Sequence, residues 1–556
     1  FHAIDRRAPF LSKTFVDAHF AFHGKALAGT PQIAERWKRS VAMAPPDDTP
    51  ADDGVPYGRQ LTVRALADPD GPALTVIHRD GGAGDDAERG TSDEERRRTT
   101  ETTLTWQELE RLANQWARAL QSAAVTPESM VALSIPNSVE LVAAALATWK
   151  LGAVPIPMRW DLPDWEQGRL LEVINPSFVL TEANLAETAT RAAAMADTAL
   201  PDAVSPAVNG ICSSGSTGLP KIILNTTPAE WTPDKSVPFM AQWTPVGAPQ
   251  TILVPAPMYH TNGFNTLNYL LGGDRLIVLE KFDAAQVLDA IEKHRVTNFT
   301  ATPTMLARIA DVPGVQDRDL SSIVWILQGA AVMPHNLLRR WFQLLSPEQI
   351  IMAYGMTENL GLTALRGDEW LAHAGSVGRG FRDTEIRVVD DHGRPVGPGE
   401  LGEIYLRAPM TGQYRYIGGA PPLPTTADGF TSAGDLGHLD ADGYLYITDR
   451  RTDMIVTGGA NVFPAEVESA LIDHPGIADV VVVGITDERW GRRVHAVVEA
   501  TDPDRPPTEK SVIDYAKGRL AGYKVPKTVE FVDEIPRTAA TKVNRAAIAA
   551  ARESSS

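Results

Sequence analysis

The alternation of apolar and polar positions divides most of the chain into short strands and amphipathic helices. Trp106, Leu109, Leu112, Ala113, Trp116, Ala117 and Leu120 recur at helical spacing, so one face of that segment is expected to meet a core. Residues 130–135 read as a short strand and 139–149 as an almost wholly apolar, buried helix. Strand signals at 251–254, 276–279, 296–300, 323–327 and 350–353 alternate with helical ones at 284–294 and 304–310. That rhythm predicts parallel sheets covered by helices. Between 385 and 407 the pattern becomes strand–turn–strand, with turns at Asp391–Gly393 and Pro398–Gly399, which predicts a smaller antiparallel unit. A last α/β stretch follows Arg450: helix 464–472, strands 480–483 and 495–500, helix 511–520. Residues 79–103, dense in mixed charge and glycine, read as a solvated loop. No fixed-period repeat is present.

Composition narrows this picture. With 556 residues, 43% hydrophobic and 22% charged, the chain has ordinary globular usage and length for roughly three or four compact units. A formal net charge of −18 argues against a nucleic-acid binder, which needs Lys and Arg to neutralise phosphates. It leaves open a locally positive pocket for a small anion. The single cysteine, Cys212, permits no disulfide framework. No run reaches the roughly 18 apolar residues of a membrane span, and the opening FHAIDRRAPF lacks a signal-peptide layout. A soluble, cytoplasmic protein is the expectation.

Five segments carry candidate chemistry. Ser213-Ser214-Gly215-Ser216-Thr217-Gly218-Leu219-Pro220-Lys221 combines glycines for close backbone approach, hydroxyl and amide donors, and one cation. Those are the ingredients of a phosphate-binding loop, although a plain glycine–serine turn has the same composition. It is no Walker A loop, since Pro220 stands where the second glycine belongs, and a P-loop kinase is excluded. Tyr354-Gly355-Met356-Thr357-Glu358 follows a predicted strand, at the end where open α/β sheets bind ligands. Its carboxylate suits Mg²⁺, its hydroxyl a phosphate and its ring a base. Ser432 to Gly437 reads as a glycine turn presenting Asp435 to ribose hydroxyls, with Arg450 as a second contact or a surface salt bridge. Thr457-Gly458-Gly459-Ala460-Asn461 is a turn before a helix, and Lys542 lies in a polar loop near the C-terminus.

In this order the runs resemble the adenylate-forming superfamily: acyl-CoA synthetases, peptide-synthetase adenylation domains and beetle luciferases. The matches are the loop ending in Pro-Lys at 213–221, Tyr-Gly-x-Thr-Glu at 354–358, Gly-Asp at 434–435, Arg-x-x-Asp…Gly-Gly at 450–459 and Pro-Arg-Thr…Lys at 536–542. The likeness spans nearly the whole chain from the 104–157 region onward. It implies an α/β fold with a large N-terminal domain, residues 1–450, of helix-covered β-sheets plus a small β-barrel-like subdomain. A small mobile α+β C-terminal domain, residues 451–556, would follow.

The implied activity is that of an ATP-dependent acid–CoA ligase using ATP, Mg²⁺ and coenzyme A. A carboxylate attacks the α-phosphate, pyrophosphate leaves, and a thiol converts the acyl-adenylate to a thioester and AMP. Carried onto matching positions, Ser213, Ser214, Gly215, Ser216, Thr217, Gly218 and Lys221 hold the triphosphate. Tyr354, Gly355 and Met356 lie near adenine with Gly329, Ala330 and Ala331. Thr357 touches the α-phosphate, Glu358 binds Mg²⁺, and Asp435 and Arg450 hold the ribose. Lys542 bridges the attacking carboxylate and the α-phosphate, while Gly458 and Gly459 serve thiol delivery after the small domain swings about Thr452.

The acyl pocket is expected near His260, Gly263, Phe264, Leu360 and Gly361, with the two glycines leaving room. With no charged residue there to pair a second substrate charge, a bulky apolar acid, terpenoid or steroidal in kind, is the predicted substrate. The chain departs from the family at Thr452, where Asp or Lys is usual, and at Ile222 after the loop lysine. It departs again at Thr541, where a glycine commonly stands, and at Ala433, where a hydroxyl residue is usual. Two rival readings are an acyl-AMP ligase loading a carrier protein and a non-catalytic nucleotide-binding module.

Overall fold

The computed structural model of the chain describes residues 54–79, 99–213, 221–450, 453–457, 460–487, 489–537 and 543–553. Among them a nine-stranded sheet runs in the spatial order Arg379–Phe381, Leu362–Arg366, Ile350–Gly355, Trp325–Gln328, Asn298–Ala301, Thr251–Val254, Arg275–Leu279, Pro72–Arg79 and Thr99–Thr105. The six strands from Ile350–Gly355 to Pro72–Arg79 are mutually parallel. The edges turn antiparallel. Helices Ala284–His294, Pro303–Ala310 and His335–Trp341 cross between successive parallel strands. They bury Val287, Leu288, Ile291, Leu306, Ile309, Leu338 and Trp341 against Phe299, Ile326 and Ile350. Asp283 and Thr302 cap the first two of these helices by accepting backbone N–H bonds, which fixes where each crossover begins.

A second, three-stranded parallel sheet has Met130–Ser134 between Val154–Pro157 and Phe178–Thr181. Helix Trp106–Ser122 starts at a reciprocal cap between Thr105 and Glu108. Helix Val139–Lys150 is buried along its whole length, as its nearly all-apolar sequence requires. Its Trp149 packs edge-on between Tyr57 and Phe264. Lys150, at the helix end, is buried and satisfied by Glu110 at 2.8 Å.

A short antiparallel pairing of Val55–Pro56 with Glu230–Trp231 and two larger antiparallel sheets complete the large domain among the described residues. One orders Tyr414–Ile417, Lys221–Asn225 and Asn209–Ser213, and the other Glu385–Val389, Gly402–Arg407, Thr431–Leu439 and Leu445–Arg450. In the smaller C-terminal domain, strands Ile477–Asp487, Gly491–Ala500 and Thr528–Val532 form one sheet. Val480 and Val482 face helices Pro464–Leu471 and Glu509–Lys517, whereas Val481 and Val483 face helix Arg545–Glu553. The two-residue side-chain period of a strand makes that double-sided core. These two C-terminal clusters draw only on residues from Ile455 onward, and the other five only on residues up to Ile447. No helix among the described residues is long and apolar enough to cross a membrane.

Two expectations need correction. The end of the 79–103 segment, read as loop, is the edge strand Thr99–Thr105, paired antiparallel with Pro72–Arg79. Its β-branched threonines suit an edge, and Thr103 meets Thr75 through a 2.9 Å hydroxyl contact. A search for apolar residues passes over a strand polar on both faces. Similarly, Ser432 to Gly437 lies inside strand Thr431–Leu439 and is no chain reversal, yet Gly434, next to Asp435, does bend the strand, with a left-handed φ of +72° where the pairing with Gly402–Arg407 shifts register. A Cβ on Gly437 would lie 2.2 Å from the carbonyl oxygen of Tyr446, so close strand approach, not turning, explains that glycine.

Candidate active site

The carboxyl ends of the parallel strands gather the predicted segments on one edge of the large sheet. Gly329–Ala331 follows Trp325–Gln328, His260 and Thr261 follow Thr251–Val254, and Thr357 and Glu358 follow Ile350–Gly355. Gln328, buried at the strand end, donates from Nε2 to the carbonyls of Gly329 at 3.2 Å and Ala331 at 2.6 Å. This holds Ala330 at a left-handed φ of 73°.

At the next strand end, the buried Glu358 carboxylate accepts a 2.7 Å hydrogen bond from Tyr416 Oη on Oε1, with Lys221 Nζ 3.5 Å from the same oxygen. Lys221 Nζ also sits 4.1 Å from the centre of the Tyr416 ring. Burial first, and then the adjoining Glu358 carboxylate, push the Tyr416 hydroxyl far above the usual phenol range, so it stays a donor. Beside this group, Thr357 Oγ1 meets Thr261 Oγ1 at 3.2 Å, tying two strand-end loops together. The ring of His260 packs on Tyr259 with centroids 4.5 Å apart.

On the other side of the site, Tyr354 Oη donates to Asp435 Oδ2 at 2.6 Å. Asp435 is buried and stands opposite Arg450 in the antiparallel register. Two residue pairs distant in sequence are therefore brought together: Lys221 with Glu358, and Tyr354 with Asp435. Ala433, one of the departures, is a buried core side chain, and the neighbouring Ser432 Oγ accepts the Gly434 N–H at 3.0 Å. Ile222, another departure, is a fully buried core side chain of strand Lys221–Asn225.

The expected acyl-pocket residues are placed differently from one another. Phe264 and Leu360 are committed to separate packed cores. The space at Gly263 and Gly361 is taken by the chain itself. A Cβ would lie 2.5 Å from the carbonyl oxygen of Pro257 at the first and 2.6 Å from Thr384 Cγ2 at the second, where φ is +150°. Ser214, Gly215, Ser216, Thr217, Gly218, Thr452, Gly458, Gly459 and Lys542 lie outside the described residues, as do the side chains of Ser213 and Arg450. Tyr416 and Thr261 were not singled out from sequence. Tyr416 belongs to an alternating Tyr-Arg-Tyr-Ile strand that signals only an exposed edge.

The carboxyl edge of the parallel sheet, where open α/β folds bind ligands, carries Tyr354 and Glu358, met by Asp435 and Lys221 from the two neighbouring antiparallel sheets, which defines an α/β protein with a ligand site at that edge. Comparison with known proteins narrows the class. The family model for the AMP-binding enzyme matches residues 85–414, and that for the AMP-binding enzyme C-terminal domain matches 466–542. The indoleacetate–CoA ligase of Aromatoleum aromaticum is 34% identical over 481 residues, covering 81% of this chain and 93% of that protein. A Mycobacterium tuberculosis ligase of a methyl-dioxo-octahydroindenyl propanoate is 33% identical over 478 residues, covering 77% and 90%. The o-succinylbenzoate–CoA synthetase of Bacillus subtilis, solved with its acyl-adenylate intermediate, superposes with a TM-score of 0.73 at 27% identity, covering 88% of this chain and 97% of that one. The chain belongs to the AMP-binding enzyme family, within the adenylate-forming superfamily. Its reaction class is that of an AMP-forming acid–thiol ligase.

Proposed function

We propose that this ligase activates a bulky, predominantly apolar carboxylic acid bearing a ring system and transfers it to coenzyme A. The observation that supports this reading is the pair of contacts, Lys221–Glu358 and Tyr354–Asp435, at the carboxyl edge of the large sheet, which would suit the two ends of a nucleotide. Support for the acid comes from the ring-bearing acids in the names of two similar ligases.

A carboxylate is a poor electrophile, and joining it to AMP gives the acyl carbon a good leaving group. In this reading Tyr354 and Asp435 fix adenine and ribose, the latter with Arg450, while Lys221 and the 213–221 loop take the triphosphate. Thr357, tied to Thr261, donates to the α-phosphate. Lys542 steadies the charge that builds as the acid attacks, and its gain is mainly positioning and electrostatic. Magnesium fits here. The buried Glu358 carboxylate is engaged by Tyr416 and Lys221 through Oε1, which suits an ion that it would hold together with substrate phosphates and water. When bound, it neutralises triphosphate charge.

The thiol step uses the Gly458–Gly459 turn after rotation of the small domain near Thr452, with the boundary at Arg450. Asp449 is placed to feel that motion, since its Oδ2 accepts the Ala465 N–H at 3.0 Å. Arg545 likewise joins Asp453 to Glu468. A reaction that consumes ATP and CoA suits the cytoplasm, the location we propose. The test is kcat/KM for CoA-thioester formation across indole, cinnamic and fused-ring propionic acids against straight-chain acids of equal carbon number. A preference of tenfold or more for ring acids supports the reading; equal or reversed preference overturns the substrate assignment.

A further inference from the structure

Strand Tyr414–Ile417 pairs antiparallel with Lys221–Asn225 so that Tyr416 faces Ile223 and Ile417 faces Ile222. Lys221 and Ile223 share a sheet face by the two-residue period, which makes Lys221 the diagonal neighbour of Tyr416, within reach of an aromatic and a long side chain. The ring of Tyr416 is backed edge-on by Tyr414, 5.2 Å away between centroids. Its two ends do different work. The π-face lies 4.1 Å from Lys221 Nζ, and the hydroxyl donates at 2.7 Å to Glu358 Oε1.

Lys221 and Glu358 already form an ion pair, but a long one at 3.5 Å; without the Tyr416 side chain each would have mainly the other to satisfy it, and the pair could tighten. A closed pair would set the lysine against the phosphate it should meet and the carboxylate against the cation it should hold. Tyr416 meets both needs at once, giving the buried carboxylate a neutral donor and the ammonium a neutral seat. Both contacts at Glu358 fall on Oε1, which leaves Oε2 engaged by neither.

We propose that Tyr416 is a positioning residue for nucleotide binding, holding the Lys221–Glu358 ion pair at a long 3.5 Å contact and orienting it so that the lysine takes phosphate and the carboxylate the phosphate-bound magnesium. The inference rests on the proposed adenylate-forming site. Calorimetric titration with MgATP and with ATP in excess chelator separates its two halves. Tyr416→Phe keeps the ring and loses the donor, so MgATP should bind about tenfold more weakly while metal-free ATP stays within about twofold. Tyr416→Leu also loses the ring and should weaken both ligands. A merely structural tyrosine would weaken both ligands equally in Tyr416→Phe, which overturns the proposal, as does MgATP affinity within twofold of wild type. Should Tyr416→Phe melt early, Tyr416→Trp keeps a ring without the phenol donor and must show the same selective loss. Wild-type protein that binds no MgATP would instead overturn the adenylate-forming site itself.

Discussion

Replacing Glu358 by Gln changes a charge while keeping size and the acceptor for Tyr416. The carboxylate lies 3.5 Å from Lys221 Nζ, with the two side chains 8% and 24% exposed. At an effective dielectric of about 20, that separation gives a gross attraction of about 5 kcal/mol. Desolvation of both groups offsets most of it, and Lys221 can turn toward water, so the folding cost is about 1 kcal/mol. The melting temperature should then fall by no more than about 3 °C. Catalysis should suffer more, because the charge acts on the triphosphate in a buried site. Removing one preorganised electrostatic group of this kind costs about 10²–10³-fold in rate. Pyrophosphate release dependent on the acid should fall by about that factor. Thioester formation from supplied acyl-adenylate, which involves no triphosphate, should stay within about threefold. Equal loss of both half-reactions, or retention of both, would refute the assignment of Glu358 to the first.

Lys542→Ala should abolish most adenylate formation yet convert supplied acyl-adenylate and CoA to thioester, measured by product mass; loss of both steps contradicts its role. Gly459→Leu should show the reverse, with pyrophosphate released and little thioester formed, and an unchanged thioester yield would count against thiol delivery past that turn. Asp274 tests the fold rather than the chemistry. Burial pushes its carboxyl up to about 7, against the lowering effect of the Gln250 N–H and Arg64. The folded value exceeds the ordinary one, so the fold favours the protonated form, and that stabilisation fades as pH rises from about 4 through 7. Asp274→Asn should therefore raise the melting temperature at pH 8 and leave it nearly unchanged at pH 5; an equal shift at both would contradict the burial of a charge.

The large sheet was legible because its strands are buried on both faces and read as short apolar runs between capped helices. Strand Thr251–Val254 and helix Ala284–His294 fall where the pattern places them. Edge strands were not legible. Thr99–Thr105 and Tyr414–Ile417 hide in polar composition, and their pairing is a property of partners far along the chain. For the same reason the motifs identified Lys221 and Glu358, while Tyr416, which contacts both, shows only once the strands are aligned. Gly263 and Gly361 show the opposite failure. A glycine in a pocket-like run suggested space, but each accommodates another part of the chain.

The claim of two half-reactions joined by an acyl-adenylate is tested most directly by mass analysis of a single reaction before and after CoA. With ATP, Mg²⁺ and a ring-bearing acid, acyl-adenylate and pyrophosphate should accumulate on the enzyme, and added CoA should convert that adenylate to acyl-CoA and AMP. Formation of ADP, or of acyl-CoA by a route in which preformed acyl-adenylate is never consumed, would contradict the account.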